Sequence, residues 1–329
     1  MLDRRDLLTR ATIAGLASGV SSIGALGGCS RSTQHRSEPA AATGSPALRD
    51  APKPLPVPAE GGLPAAFVLG KDAEVLDFCG PLEVFAGAYT KDGKALFAPY
   101  MVAATKEPVK VGGGMKVLPD YTFETAPAPR VIVIPAMDDS AAPRQMYDWI
   151  RTASRSTDVT MSVCNGAFVL ARTGLLSGKP ATAHHGGYFR FAGMYPDVHL
   201  RRGARFVEDG NIAMAGGISS GIDLALRVVE RYLGKEAALE LADGMEYQGK
   251  GWLNPDSNEA FATMPRFNQE HPLCPLCLMD ADRSITATYK GKTYYFCSAG
   301  EREFFEAHTD VFDRFQAEDS RRGGGSSRD

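Results

Sequence analysis

The sequence predicts an α/β fold: a mostly parallel sheet with helices on both faces, followed by a small C-terminal metal-associated α+β module. Three observations predict it. Residues 65–69, Val131–Ile134 and Val159–Val163 are short, unbroken apolar runs, as expected of strands buried on both faces. Stretches with helical spacing lie between them, which argues for crossover connections and parallel pairing. Near the C-terminus, Cys274, Cys277 and Cys297 supply three soft ligands where the chain is too short for a large core of its own.

The elements follow in order. Residues 65–69 end at Gly70 as a strand. Residues 77–88 read as a turn and helix, with Pro81 near a tolerated first-turn position. Residues 97–104 form a strand, and residues 111–123, with three glycines, a hairpin or loop. Val131–Ile134 is a buried strand, residues 142–154 are helical, Val159–Val163 is the next strand, and residues 167–176 form a helix closed by Gly178. Ile222, Leu226, Val229 and Leu233 share one helical face and stop at Gly234, a good C-cap. Residues 248–270, rich in Gly, Pro and Asn, read as a linker.

The 329 residues allow one sizeable core and a small satellite, and 44% hydrophobic content suits a globular chain. A net charge of −3 without a basic stripe gives nucleic acid no electrostatic footprint. The six cysteines are unevenly spaced, which argues for separate roles and against a disulfide framework. Residues 1–29 must be set aside first. Arg4-Arg5 precedes a small, weakly apolar run that is a poor membrane span. It resembles a twin-arginine export signal, and Leu26-Gly27-Gly28-Cys29 resembles a bacterial lipobox. That resemblance implies acylation of Cys29 and a membrane-anchored place on the periplasmic or other extracytoplasmic face. An ordinary signal peptide with an incidental cysteine is the alternative. Residues 30–62 carry few large apolar groups and read as a disordered tether. Residues 316–329, with Arg321-Arg322 before Gly and Ser, read as a disordered tail.

Ligands of such sheets bind beyond the carboxyl ends of the strands. There, a strand leads straight into Cys164, and Gly166 follows as a helix begins. A sharp strand-to-helix turn exposes its central side chain under strain, and a small neighbour relieves the crowding. The helix N-terminus is expected to lower the thiol pKa, and the Asn165 N–H to face a developing oxyanion. His184, with His185, stands where a general base or charge partner could act. A buried core cysteine and an ordinary surface histidine are the alternatives.

Five ordered stretches then resemble the PfpI/ThiJ superfamily (class I glutamine amidotransferase-like), in particular its isonitrile-hydratase-like branch. They are Leu76-Asp77-Phe78-Cys79-Gly80-Pro81-Leu82-Glu83-Val84-Phe85, Ser162-Val163-Cys164-Asn165-Gly166-Ala167, Ala181-Thr182-Ala183-His184-His185, Phe206-Val207-Glu208-Asp209-Gly210 and Gly216-Gly217-Ile218-Ser219-Ser220-Gly221-Ile222-Asp223. The resemblance covers about residues 63–247 and implies a flavodoxin-like, commonly dimeric domain with no cofactor of its own. It implies Cys164 as nucleophile, Asp77 as the acidic residue beside it, His184 as the family histidine, and oxyanion donors at Asn165 and in the loop after Ile134, at Ala136. Like-charge repulsion from a thiolate would raise the pKa of Asp77, and a helix N-cap is its plain structural alternative. Asn165 stands where the family often has Thr or His, and Pro135-Ala136-Met137 where it often has Pro-Gly-Gly.

Residues 271–315 are similar to a YHS domain, through Cys274-Pro275-Leu276-Cys277-Leu278-Met279, Tyr289-Lys290-Gly291-Lys292 and Tyr294-Tyr295-Phe296-Cys297-Ser298, with Phe304 and Phe305. Lys290-Gly291 makes a hairpin turn. The ligand set expected here is Cys274, Cys277, Cys297 and Glu301, which holds the place of a fourth family cysteine, for zinc or copper. A Cys274–Cys277 disulfide or a metal-free module is the alternative.

Two function classes stand open at this point. One is an exported, cysteine-dependent small-molecule hydrolase or hydro-lyase. The other is a non-catalytic ligand-sensing or metal-handling lipoprotein, or a redox-sensing stress protein in which Cys164 cycles through sulfenic acid.

Overall fold

A computed structural model describes residues 53–264 and 270–322. The twin-arginine leader, Cys29 and most of the tether lie outside the described residues. Alternation within the strands sets the architecture, because successive side chains point to opposite faces. In β1 (Leu63–Val68), Ala65 and Phe67 face one layer while Ala66 and Val68 face the other. Further along come β2 (Phe97–Ala103), the short pair β3 (Val109–Lys110) and β4 (Lys116–Val117), and then β5 (Tyr121–Thr122). In β6 (Val131–Ile134), Val131 and Val133 join the first layer, and Ile132 and Ile134 the second. β7 (Val159–Val163), β10 (Phe206–Asp209) and β11 (Ile212–Ala215) complete a seven-stranded sheet of order β10-β11-β7-β6-β1-β2-β5. All neighbours are parallel except β10 and β11. A separate parallel pair, β8 (Pro180–Ala181) with β9 (His199–Leu200), precedes β10.

Helices α1 (Val75–Ala86) and α5 (Ser220–Leu233) cover the first layer, through Phe78, Phe85, Leu224 and Val228. Helices α2 (Arg144–Ala153), α3 (Gly166–Arg172) and α4 (Tyr188–Met194) cover the second. The fold is the mostly parallel, flavodoxin-like sheet with helices on both faces that the sequence implies.

Four local expectations are corrected. Helix α1 begins at Val75, so Pro81 lies inside it and Asp77 sits in its first turn instead of capping it. Residues 53–55 are not part of a free tether: Leu55 N–H donates to the Arg231 carbonyl at 2.7 Å. Of the stretch read as a linker, residues 248–264 pack on the main sheet domain. Trp252 is fully buried, and its N–H donates to Asp223 at 2.9 Å. The tail does not begin at 316, because α8 (Thr309–Arg321) runs through it, following α7 (Ala299–Ala307). Helix α6 (Lys235–Gly244) was not read from the sequence.

The C-terminal hairpin, β12 (Asp282–Tyr289) and β13 (Lys292–Phe296), turns at Lys290 and Gly291, both at positive φ, as Lys290-Gly291 predicts. Sheet and module share one compact unit, residues 51–329. Phe189 of α4 stacks on Phe305 at 5.9 Å and meets Phe312 and Phe315 edge-on. The module's small core is therefore continuous with the second layer of the main domain.

Candidate functional site

β7 ends at Val163, and the next residue, Cys164, has φ = 57°. Such a left-handed non-glycine residue costs about 1–3 kcal/mol and persists only where its surroundings impose it. They do so here. The Cys164 N–H donates to the Gly216 carbonyl at 2.9 Å, and α3 begins two residues later. A side chain at Gly166 would collide with the Ile134 carbonyl and come within 2.9 Å of the Pro135 carbonyl. Strand, strained cysteine, glycine and helix thus form the elbow that the sequence predicts.

The electrostatics of that elbow differ from expectation. Cys164 is 5% exposed. Burial, and then the charge of Asp77, push its thiol up to about 12, while N–H groups of Ile218 and Asn165 oppose them. The short helix does not lower it, because desolvation outweighs two backbone N–H groups. At rest the sulfur is a protonated thiol.

Asp77 is wholly buried beneath this turn. Its Oδ2 accepts the Ala136 N–H at 2.9 Å, and its Oδ1 is buried without a partner. Burial, with a contribution from Glu74, raises its pKa to about 7, against the Ala136 bond. The expected rise is therefore present, but dehydration and the charge of Glu74 drive it, not repulsion by a thiolate. Ala136 gives its N–H to Asp77, so that N–H is not free for the oxyanion role expected of it. Asn165 and Ile218 are the N–H groups that act on the sulfur. Ile218 was missed as a donor, although it lies within the Gly216-Gly217-Ile218 stretch.

His184 caps the short turn His185–Gly187. Its Nδ1 accepts the Gly186 N–H at 3.1 Å, and burial lowers its pKa, so the ring is neutral near pH 7. A side chain at Gly217 would stand 2.9 Å from its Cδ2, so the ring abuts the residue preceding Ile218. His185 stacks on it at 4.3 Å, and Phe261 on His185 at 5.0 Å. The structure gathers Cys164, Asp77, Asn165 and Ile218. His184 lies against Gly217, beside this group, and Gly187 of the same loop lies against the Asn165 side chain.

A second cluster lies in the C-terminal module. The sulfurs of Cys274, Cys277 and Cys297 lie within 4.8 Å of one another, with Cys277 and Cys297 at 3.5 Å. Among the described residues all five cysteines, these three included, are free thiols. A tetrahedral zinc site with about 2.3 Å bonds needs sulfurs about 3.8 Å apart, which this cluster nearly matches. The Cys277 thiol, hydrogen-bonded to Cys274, holds Cys274 well below the usual thiol range. Glu301 pairs through Oε1 with Arg190 of α4, while its Oε2 is buried without a partner. Three sulfurs at this spacing suit a zinc ion, but the group that lies within 4.8 Å holds the three cysteines and not Glu301, the fourth ligand expected from the sequence.

The profile described as "DJ-1/PfpI family" matches residues 64–231. The chain is 32% identical over 197 residues to an isonitrile hydratase of Pseudomonas putida, covering 56% of this chain and 78% of that protein. It is 26% identical to the HTH-type transcriptional regulator CdhR of Pseudomonas aeruginosa, covering 45% of this chain but only 44% of the regulator. A ThiJ/PfpI family protein from Pseudomonas syringae superposes with a TM-score of 0.52 at 26% identity, over 59% of this chain and 78% of that one.

Proposed function

This chain belongs to the DJ-1/PfpI family, and from that premise we propose that it is a cysteine-dependent hydrolase or hydro-lyase acting on a small electrophile, with isonitrile hydration the leading candidate. One observation carries the reading: a strained cysteine and a buried carboxyl group poised near neutrality act on one another at this turn, and one carboxyl oxygen has no hydrogen-bond partner. A pKa near the working pH is what general acid–base catalysis requires.

In this mechanism Asp77, as carboxylate, takes the proton of the Cys164 thiol while the sulfur bonds to the electrophilic carbon. For an isonitrile, the proton returns from Asp77 to the substrate and leaves a thioimidate on Cys164. Water adds to its carbon, the C–S bond breaks, and Cys164 recovers its proton as the N-substituted formamide departs. The N–H groups of Asn165 and Ile218 stabilise the negative charge that builds at the turn. His184, neutral and held by Gly186, lines the approach.

The wider reading keeps the exported, Cys29-anchored location, a homodimer, and zinc in the C-terminal module, held by Cys274, Cys277, Cys297 and Glu301. Zinc there would be structural, tying three strand and turn segments together.

A panel of isonitriles, activated esters and reactive carbonyls, followed by mass spectrometry of the products, tests the catalytic reading. Wild type is expected to turn over at least one class. Cys164→Ser and Asp77→Asn should each cut kcat/KM by about 10³-fold or more, with ligand binding retained. A wild-type protein that binds panel members yet converts none favours a ligand sensor. The thiol pushed up to about 12 is the observation on that side.

A further inference from the structure

The cysteine cluster and the Cys164 turn meet at one loop. Cys277, a ligand of the cluster, presents its carbonyl to Gly186, where a Cβ would come within 3.0 Å. Gly186 in turn donates its N–H to His184 Nδ1, and the His184 ring lies against Gly217, next to the Ile218 N–H that faces Cys164. The turn that carries Cys274 and Cys277 closes on itself through Leu278 N–H to the Cys274 carbonyl at 2.9 Å and Cys274 N–H to the Met279 carbonyl at 2.8 Å. Glu301 is anchored by Arg190 of α4, two residues after the Tyr188 that begins this helix. The cysteine turn therefore rests on Gly186, and Glu301, the carboxylate expected as fourth ligand, rests on Arg190, both within the segment 184–190 of the main domain.

We infer that a zinc ion held by Cys274, Cys277, Cys297 and Glu301 acts as a clamp on the His184 loop, so that metal occupancy regulates the Cys164 site. Without the ion, three thiols and a carboxylate have no common partner, and the Cys274–Leu278 turn is held by its own two hydrogen bonds and its packing. With it, ligands from that turn, from Cys297 just after β13 and from α7 move as one body, and the contact on Gly186 becomes rigid. The loop then fixes the ring of His184 against Gly217. Coupling of this kind is reciprocal: whatever the ion does for the loop, the loop does for the ion. The inference rests on the proposed roles of both sites, but its test does not use turnover.

The test takes the full chain under reducing conditions, with zinc alone as ligand and a chelator to strip it. Amide hydrogen exchange is read at residues 184–190, and zinc affinity is measured by competition with a chromogenic chelator. One zinc per chain is expected, with exchange in this segment slowed about tenfold. Gly186→Ala, which leaves every ligand in place but crowds the Cys277 carbonyl, should weaken zinc by about the same factor. Glu301→Gln should also weaken it, while Cys164→Ser should leave it unchanged. Protection confined to residues 272–307, or unaltered affinity in Gly186→Ala, overturns the clamp. A chain that binds no zinc overturns it as well. If the clamp holds and no electrophile is turned over, the catalytic reading alone fails; if turnover holds and the loop ignores zinc, the clamp alone fails.

Discussion

Asp77 has two measurable consequences. In the folded chain its pKa is about 7, well above the ordinary carboxylate value. Below about pH 4 the group is protonated folded and unfolded, and it costs nothing. Between about pH 4 and 7 the unfolded chain has lost this proton and the folded chain still binds it, so stability contributed by the neutral group is lost as pH rises. Above pH 7 the full penalty applies, up to about 4 kcal/mol. Asp77→Asn keeps an acceptor for the Ala136 N–H, so it should raise the unfolding midpoint at pH 8 and barely change it at pH 4, as thermal denaturation at the two pH values will show. In turnover, where Asp77 must accept the Cys164 proton, kcat/KM should rise with pH through about 7. A profile flat from pH 5 to 9 would remove Asp77 as the base. Residue types and spacing marked Cys164 and Asp77, yet the state of the thiol was misjudged. Its ionisation depends on how much water the fold removes, which no local spacing encodes.

The elbow makes the sharpest prediction among the elements. Gly166 has no room for a methyl group against the Ile134 and Pro135 backbone. Backbone cannot swing aside as a long side chain can, so Gly166→Ala should cost about 3 kcal/mol, at the upper end of overpacking effects. Urea unfolding gives this directly; a change within a few tenths of a kcal/mol would show that the elbow is looser than described. The strands were legible in order because unbroken apolar runs admit few alternatives: Val131–Ile134 and Val159–Val163 fall where the pattern puts them. Helix α6 and the burial of Trp252 were not legible. The segment after Gly234 is weakly periodic, and the partners that bury Trp252, such as Asp223, come from a distant part of the chain.

Across the whole molecule, the C-terminal module is joined to the main domain by Arg202. Its buried guanidinium pairs with Glu318 at 2.8 Å and Asp319 at 2.7 Å, and lies over the Phe315 ring at 4.1 Å. Arg202→Ala strands two carboxylates, one of them only 19% exposed, and should cost about 3 kcal/mol. If module and main domain unfold as one, denaturation of this variant shows a single earlier transition. Two separated transitions would mean that the shared aromatic packing around Phe189 does not make them cooperative.

Local pattern was enough for the alternating layers, the elbow and the cysteine cluster, because each depends on residues close in sequence or on a period that burial imposes. Three properties emerged only once the chain was folded: the protonated state of Cys164, the diversion of the Ala136 N–H to Asp77, and the seating of the cysteine turn on Gly186. Each is set by groups dozens of residues apart that share a dry interior, and desolvation and steric contact there depend on distance in space rather than along the chain.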